Sequence, residues 1–167
     1  MQQILFRHLT ASDFVQLIEF VTDSKVTKYL TWEPYSDTER IKGFLNNAEK
    51  CSGFPNEFLA IIFETKLIGT VHIIDRQNGC IQFGFGITSD YWGQGLGDGI
   101  VKATLNYINT SEWQEKTSEI WADIHRDNIF AKQILIKNGF IRSGTVTGEN
   151  NRERLLLKCP KLYKRKY

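Results

Sequence analysis

A glycine-rich segment near the middle of the chain has the composition of an anion-binding turn. Residues 91–99 are Tyr-Trp-Gly-Gln-Gly-Leu-Gly-Asp-Gly, placed between a predicted strand and a predicted helix. A turn without side chains lets successive backbone N–H groups approach an anion at the positive end of the helix that follows. A tight connection that merely needs glycine is the alternative, but four glycines in seven residues exceed what one turn requires. The segment therefore predicts a pyrophosphate site.

The spacing of the glycines excludes two common nucleotide-binding signatures. A Rossmann fingerprint needs G-x-G-x-x-G, and the last position is not glycine whether it is counted from Gly93 or from Gly95. A P-loop needs Gly-Lys-Ser/Thr at its end, which this segment lacks. The spacing Gln94-x-x-Gly97-x-Gly99 instead resembles the coenzyme-A signature of the GNAT superfamily of N-acetyltransferases.

A second segment resembles the other motif of that superfamily, an asparagine that opens a helix ending in Gly-Phe. Residues 128–131 are Asn-Ile-Phe-Ala, and residues 135–140 are Leu-Ile-Lys-Asn-Gly-Phe. Asn128 also suits a helix N-cap and Gly139 the position after a helix, so each has a purely helical explanation. Their place one strand after the pyrophosphate turn makes the joint pattern specific. The Trp-x-Pro-Tyr loop at 32–35 and Phe-Gly-Phe at 83–85 further resemble the ribosomal-protein N-acetyltransferase branch, also called RimJ/RimL-type.

The resemblance implies a position for each part of acetyl-CoA, the cosubstrate of the family. The strand before the turn would pair its backbone with the pantetheine arm, and an N–H there would polarise the thioester carbonyl. Gly84 and Gly86 leave one face of this strand without side chains, which would let a ligand lie close to the backbone. The residues to which the resemblance assigns cofactor binding are Phe85, Gly86, Ile87, Gln94, Gly95, Leu96, Gly97, Asp98, Gly99, Asn128, Ala131 and Lys132.

The family's reaction is the direct attack of an amine on the thioester in a ternary complex, which needs groups that take and give protons. Many relatives have a glutamate two residues before the strand glycine, where this chain has Gln82, an amide that orients water but takes no proton. If residues 78–79, Asn-Gly, form a two-residue hairpin turn, Asp75 lies across from Gln82 on one face. We hypothesise that Asp75 supplies the missing carboxylate through a water near Gln82; a solvated hairpin aspartate is the alternative. Glu33, in the aromatic loop, is a further catalytic candidate.

Two proton donors that relatives often use are missing. Leu135 stands where a tyrosine is usual, and Ala131 stands where a serine is usual. Asp123 and His125 alternate with apolar residues on a predicted strand, so the two side chains share one face and are further candidates. No triple-histidine or mixed-ligand spacing suggests a metal, and none is expected.

Caps and hydrophobic periodicity predict the elements that position these residues. Predicted strands lie at residues 4–9, 58–63, 67–74, 81–87, 120–124, 140–147 and 154–158, and predicted helices begin near 14, at 36 or 37, after the glycine turn, and at 128. The order β-α-α-β-β-β-α-β-α-β-β predicts an α+β fold. We expect one N-acetyltransferase domain over residues 1–167, with a mixed, mostly antiparallel sheet flanked by helices.

Composition places the chain among ordinary soluble domains. It has 167 residues, 41% of them hydrophobic and 24% charged, with a net charge of +2. That charge is too small to predict a nucleic-acid partner, and the basic tail at 158–167 is more often solvated than bound to phosphate. No apolar run could span a bilayer and no signal peptide opens the chain, so we expect a cytoplasmic protein without a membrane partner. The three cysteines are irregularly spaced and are interpreted as reduced thiols.

These observations predict an acetyl-CoA-dependent N-acetyltransferase that acts on a primary amine. A protein N-terminus, a polyamine, an amino sugar and a small xenobiotic all remain open as acceptors. The leading alternative is an acyl-CoA-binding module that has lost catalysis, because Gln82, Ala131 and Leu135 stand where proton-transfer groups could be. A small RNA- or nucleotide-binding domain is a third reading, based on the basic tail. Such folds commonly form homodimers, and no residue decides this for the present chain.

Overall fold

The computed structural model describes residues 3–30, 35, 37–146 and 152–158. Its helices are α1 (Phe14–Thr22), α2 (Ser24–Thr27), α3 (Thr38–Lys50), α4 (Leu96–Thr110) and α5 (Ile129–Lys137). Its strands are β1 (Leu5–His8), β2 (Ser52–Gly53), β3 (Asn56–Phe63), β4 (Lys66–Asp75), β5 (Cys80–Ile87), β6 (Glu119–His125), β7 (Ile141–Thr145) and β8 (Arg152–Lys158). Short 3-10 turns lie at Ala11–Asp13, Ser89–Tyr91 and Gln114–Lys116.

The strands form one mixed sheet in the order β1-β3-β4-β5-β6-β8-β7, with β2 on the edge of β3. The pair β5–β6 is parallel, and the other pairs among the described residues are antiparallel. The predicted α+β class with a mostly antiparallel sheet is therefore confirmed. The elements absent from the prediction are α2 and β2, which have four and two residues and so show no periodicity.

Helices cover both faces of the sheet. Apolar residues of α4 and α5, such as Ile100 and Leu135, join the strands in one buried cluster. Residues of α1 and α3, such as Leu17 and Leu45, form a second cluster against the opposite face. Residues of β5 therefore point alternately toward the α4–α5 layer and toward the α1–α3 layer.

Side-chain caps set the start of two predicted helices. The Asp37 carboxylate accepts the Arg40 N–H at 2.8 Å, which selects Asp37 as the cap of α3. The Asn128 side-chain oxygen accepts the Ala131 N–H at 3.1 Å and caps α5. Both caps satisfy N–H groups that have no partner within their helix.

The turn between β4 and β5 corrects the predicted register. Gln77, Asn78 and Gly79 all have positive φ, and the Arg76 N–H donates to the Cys80 carbonyl oxygen at 2.8 Å. The loop therefore has three residues rather than two.

This extra loop residue separates the two proposed catalytic groups. Gln82 is opposite Ile74, and Asp75 is opposite Ile81. A shift of one residue moves a side chain to the other face of the sheet, so the prediction that Asp75 lies across from Gln82 is wrong. The Asp75 carboxylate instead accepts the Gln77 N–H at 2.9 Å within the loop.

Candidate active site

The site is built around a gap between β5 and β6. These parallel strands pair only where Cys80–Gln82 faces Glu119–Trp121, and they carry no further pairing beyond that point. The Thr88 N–H bonds the Ile68 carbonyl on β4 at 2.7 Å. Because hydrogen-bonded pairs alternate along an antiparallel ladder, the even-numbered residues of β5 bond β4 and the odd-numbered residues direct their backbone to the gap.

This alternation distinguishes the three strand residues predicted to bind the cofactor. The backbone of Phe85 faces the gap, as does the N–H of Ile87, whose carbonyl accepts the Trp92 indole N–H at 3.1 Å. The backbone of Gly86 faces Thr70 on β4 instead. Phe85 therefore places an N–H at the position where the resemblance requires one.

The two glycines of β5, Gly84 and Gly86, have different surroundings. A Cβ on Gly84 would meet no atom within 4 Å, and this residue is exposed in the middle of the sheet. A Cβ on Gly86 would lie 3.0 Å from the Phe20 ring. Gly84 therefore opens the floor of a cavity, whereas the space above Gly86 is filled by an aromatic side chain.

The glycine turn leaves backbone amides open at the start of α4. Gly93 and Gly95 have φ of 74° and 76°, which residues with a side chain rarely adopt, and no side chain caps the helix. The first N–H groups of a helix have no intrahelical acceptor. A Cβ at Gly93 or Gly95 would meet open space. The amides of Gln94 to Gly97 are thus accessible, as the anion-binding interpretation requires.

The other two glycines of the turn have a different environment. A Cβ on Gly97 would lie 2.6 Å from the Ile134 side chain, so Gly97 lets α4 and α5 approach each other closely. A Cβ on Gly99 would lie 3.7 Å from Ile4, an ordinary contact. Helix packing therefore accounts for Gly97, and neither packing nor φ requires glycine at 99.

The Asp98 carboxylate is turned toward α5. It accepts hydrogen bonds from Lys102 (2.8 Å), Asn138 (2.9 Å) and Lys137 (3.1 Å), which hold the pKa of the carboxyl well below its usual range. Only the N–H of Asp98 is left for a ligand. The two lysines also counter a negative charge that would otherwise repel an anion at the turn.

Three predicted cofactor residues come from α5 and its cap. Asn128 and Ala131 line the cavity described below. The Asn128 oxygen is used as a cap, and its amide nitrogen has no partner within the described chain. The Lys132 ammonium lies 2.6 Å from the carboxylate of Glu153, which is 3% exposed, and so connects α5 to β8.

A cavity of about 740 Å³ lies beside the gap. Its floor includes Gly84, and aromatic side chains of the α1–α3 layer form one wall. The residues predicted to bind the cofactor or to act in catalysis that line it are Gln82, Phe85, Gly86, Asn128 and Ala131. The further candidates Asp123 and His125 also line it, whereas Asp75 does not. Glu33 lies outside the described residues, so its position is not part of this geometry.

A chain of polar contacts forms another wall of the cavity. The Arg76 Nε donates to the Gln82 oxygen at 2.7 Å, and the Gln82 amide nitrogen donates to Asp123 at 3.1 Å. Asp123 in turn accepts two hydrogen bonds from Arg154, at 2.7 and 2.8 Å, and Arg154 lies over the Trp121 ring. Both ends of the Gln82 amide are therefore engaged. Sequence reasoning missed both arginines, because their proximity to Gln82 and Asp123 depends on the register of β4 and β8.

Two histidines also line the cavity. The His72 ring stacks on Phe58 at 3.9 Å, and its Nε2 lies 2.6 Å from the Asn56 side-chain oxygen. Burial, with a smaller effect of Arg76, lowers the pKa of His72 to about 4, so this imidazole is neutral near pH 7. The His125 ring lies 5.7 Å from that of Tyr29.

The described cysteines do not line the cavity. Burial and the neighbouring Glu119 carboxylate raise the pKa of the Cys80 thiol, which keeps it protonated. Within the described residues, no helix is long and apolar enough to cross a membrane, and no group of three His, Cys, Asp or Glu side chains could hold a metal ion. Cys159 lies outside the described part of the chain.

Comparison with known proteins by sequence finds acetyltransferases. A family model described as an acetyltransferase (GNAT) domain matches residues 3–141. An uncharacterised N-acetyltransferase of Bacillus licheniformis, p20, is 26% identical over 148 residues, which are 86% of this chain and 82% of that protein.

Solved structures with low sequence identity share the fold. One is the spermidine N-acetyltransferase from Vibrio cholerae in complex with CoA and spermine, with a TM-score of 0.79 and 19% identity over 93% of this chain and 95% of that one. Another is RimL, a ribosomal L7/L12 α-N-protein acetyltransferase in complex with coenzyme A, with a TM-score of 0.80 and 14% identity over 93% of this chain and 94% of that one.

Proposed function

The chain belongs to the acetyltransferase (GNAT) family, whose cosubstrate is acetyl-CoA, and we propose that it transfers the acetyl group to a primary amine by direct attack in a ternary complex. One observation carries the proposal: β5 and β6 separate after Gln82 and Trp121. The open amides at the start of α4 follow the end of β5 along the chain, and the cavity above Gly84 lies beside the same strand. A long cofactor arm can lie in this gap with its phosphates at one end and its thioester at the other.

In this proposal the helix start holds the diphosphate. The amides from Gln94 to Asp98 donate to its oxygens, helped by the positive end of α4, whereas the Gly99 N–H, which was also predicted to bind, is used by the first intrahelical bond to the Gly95 carbonyl. The amide nitrogen of Asn128 donates to a carbonyl of the pantetheine arm, and Ala131 borders the arm. Lys132 acts indirectly, because its ammonium holds α5 against Glu153.

The thioester then lies against the edge of β5. The Phe85 N–H donates to the carbonyl oxygen and stabilises the negative charge that develops when the amine attacks. The new N–C bond forms as the C–S bond breaks, the sulfur leaves as a thiolate that gains a proton, and the amine loses one. Gln82 orients groups at the cavity wall and takes no proton, since it is an amide bonded at both ends. Glu33 remains our candidate base from the aromatic loop, and Asp75 loses its geometric support.

Direct transfer is favoured over an acetyl-enzyme intermediate. Neither Cys51 nor Cys80 lines the cavity, and the raised pKa of Cys80 keeps its thiol in the less nucleophilic form. Initial rates measured against both substrates should therefore give intersecting double-reciprocal lines. Parallel lines, which indicate a covalent intermediate, would contradict this part of the proposal.

The diphosphate assignment is tested with Gln94→Glu. This substitution keeps the size of an exposed side chain and adds a negative charge at the turn. At about 6 Å, two unit charges repel by roughly 0.7–2.8 kcal/mol for an effective dielectric constant between 80 and 20. We therefore expect acetyl-CoA to bind about three- to hundredfold more weakly in calorimetry.

Gln114→Glu is the matched control, because Gln114 is also exposed but lies in the turn after α4. It should leave the affinity unchanged. Equal affinities for the two variants would refute the placement of the diphosphate.

A binding module without catalysis is the second candidate function. It is favoured by Leu135, which is 1% exposed and part of the core, and by Ala131, since neither can give a proton. Acetyl-CoA binding without CoA release across a broad amine panel would support this alternative. Release of CoA that depends on an added amine would exclude it.

A further inference from the structure

The charged groups of the cavity wall include a cation that no described residue neutralises. Among the residues that the structure describes, the charged side chains lining the cavity, besides the histidines, are Arg76, Asp123 and Arg154. Arg154 forms two hydrogen bonds with Asp123, so these two charges cancel. The wall formed by these described residues therefore has an excess positive charge at Arg76.

One hydrogen bond anchors the guanidinium of Arg76, an exposed residue that directly follows β4. Its Nε donates to the Gln82 oxygen at 2.7 Å, and the Gln82 amide is fixed in turn by Asp123. The terminal nitrogens of Arg76 have no hydrogen-bond partner among the described residues. A guanidinium fixed at Nε presents its terminal N–H groups as a fork that fits a carboxylate or a phosphate.

The same wall is unfavourable for an acceptor with a second cation. Asp123 is the carboxylate among the described lining residues, and it already accepts from Arg154 and Gln82. His72 is a neutral imidazole beside this wall. A distal ammonium group would meet Arg76 rather than an available carboxylate.

Strand geometry gives the spacing between the reaction centre and the fork. Arg76 contacts the side chain of Gln82, which is three residues from Phe85 on β5, or about 10 Å along a strand. A hydrogen-bonding distance of about 3 Å between Arg76 and the anion takes up part of this length, so the acceptor must bridge roughly 5–8 Å. A carboxylate on the same carbon as the reacting amine is too close to reach Arg76.

We propose that the acceptor is an amine with a carboxylate or phosphate at its far end, and that Arg76 binds this anionic group. The inference rests on the proposed acetyl transfer and adds the class of acceptor. The shared chemistry is an anion roughly 5–8 Å from a primary amine.

The test compares acceptors of equal length that differ only at the far end. Hexylamine, diaminohexane and ω-aminohexanoate end in a methyl, an ammonium and a carboxylate group, and ω-aminobutyl phosphate places its phosphorus as many bonds from the amine as the carboxylate carbon of ω-aminohexanoate. When CoA release is measured, kcat/KM for the better anionic acceptor should be about ten- to hundredfold higher than for hexylamine. The difference should arise from a lower KM, because Arg76 acts on acceptor binding. Diaminohexane should be the poorest. The preferred anion identifies whether carboxylate or phosphate is the natural group.

Variants of Arg76 decide whether this residue causes the preference. Arg76→Gln should bring the ratio of anionic acceptor to hexylamine close to one, while acetyl-CoA affinity stays unchanged. Lys66→Gln, which removes one charge from an exposed site at the opposite end of β4, should keep the ratio of the wild type.

The possible failures are distinguishable. Equal rates for all acceptors, a preference for diaminohexane, or an unchanged ratio in Arg76→Gln would overturn the inference and leave acetyl transfer standing. Acetyl-CoA binding with no CoA release from any amine would overturn both.

Discussion

Placing a methyl group on Gly84 should increase stability and decrease activity. Gly84 lies in the interior of β5, yet a Cβ there would meet no atom within 4 Å, and its φ is not positive. The empty space above it is the cavity beside the Phe85 N–H. The same added atoms that the fold tolerates would therefore occupy space needed by the substrates.

The size of the stability effect follows from the backbone. Alanine in a strand interior is favoured over glycine by roughly 0.5–1 kcal/mol, because glycine loses more conformational freedom on folding. For a chain of this length, 1 kcal/mol changes Tm by about 2–4 °C. Gly84→Ala should therefore raise Tm by roughly 1–4 °C.

The size of the activity effect follows from the position of the reaction centre. Displacing a reacting group by about 1 Å can cost on the order of a hundredfold in rate. We expect Gly84→Ala to lower kcat/KM by about tenfold or more and Gly84→Val to lower it further. Thermal unfolding and CoA release, measured on the same preparations, give the two readouts.

Gly43→Ala is the matched control. Gly43 lies within α3 and does not itself line the cavity, and a Cβ there also has no neighbour within 4 Å. It should gain about 1 kcal/mol, as alanine does over glycine in a helix, with unchanged kinetics. Full activity of Gly84→Val would show that no substrate lies above Gly84, and a fall in Tm for Gly84→Ala would show that the space is not open.

Three further predictions concern single side chains. The pKa of His72 is about 4 in the folded chain and 6.5 in the unfolded chain, so the unfolded chain binds a proton first and stability should fall as pH falls from about 6.5 toward 4. His72→Gln should remove up to about 3 kcal/mol of this loss, measured by comparing urea unfolding midpoints at about pH 6.5 and pH 4. Glu57, 2% exposed, accepts hydrogen bonds from Tyr107 and Trp113 at 2.7 Å each. Glu57→Leu removes the acceptor of both donors and should cost roughly 2–6 kcal/mol in chemical denaturation, about 1–3 kcal/mol for each donor. Asn128→Ser keeps a helix cap and loses an amide donor, so Tm should hold while calorimetry shows acetyl-CoA binding about tenfold more weakly; equal affinity would remove Asn128 from the cofactor site.

Much of the fold could be predicted because its signals are local. Asp37 and Asn128 each bond an N–H three residues along the chain, so a cap and its helix lie within one short segment. The glycine turn before α4 likewise needs only its own φ angles. Family membership was predictable for the same reason, since both motifs are contiguous stretches of sequence.

The register of β4 and β5 could not be predicted in this way. The Asn-Gly pair favours a two-residue turn, but Gln77 also adopts a positive φ, and this one extra loop residue moves Asp75 away from Gln82. Sequence reasoning therefore proposed the wrong partner for Gln82. Gln82 contacts Arg76 and Asp123 instead, and Asp123 is 41 residues away on a strand reached through α4.

The sequence alone determined the elements, their order and the two cofactor motifs, because each depends on residues within a few positions of one another. Tertiary structure decided which atoms border the gap and the cavity: the Phe85 amide, the open floor at Gly84 and the polar wall from Arg76 to Arg154. These features depend on where β5 and β6 separate and on the registers of β4 and β8. Strand pairing joins distant segments, and a shift of one residue exchanges the faces of a strand, so no local pattern specifies them.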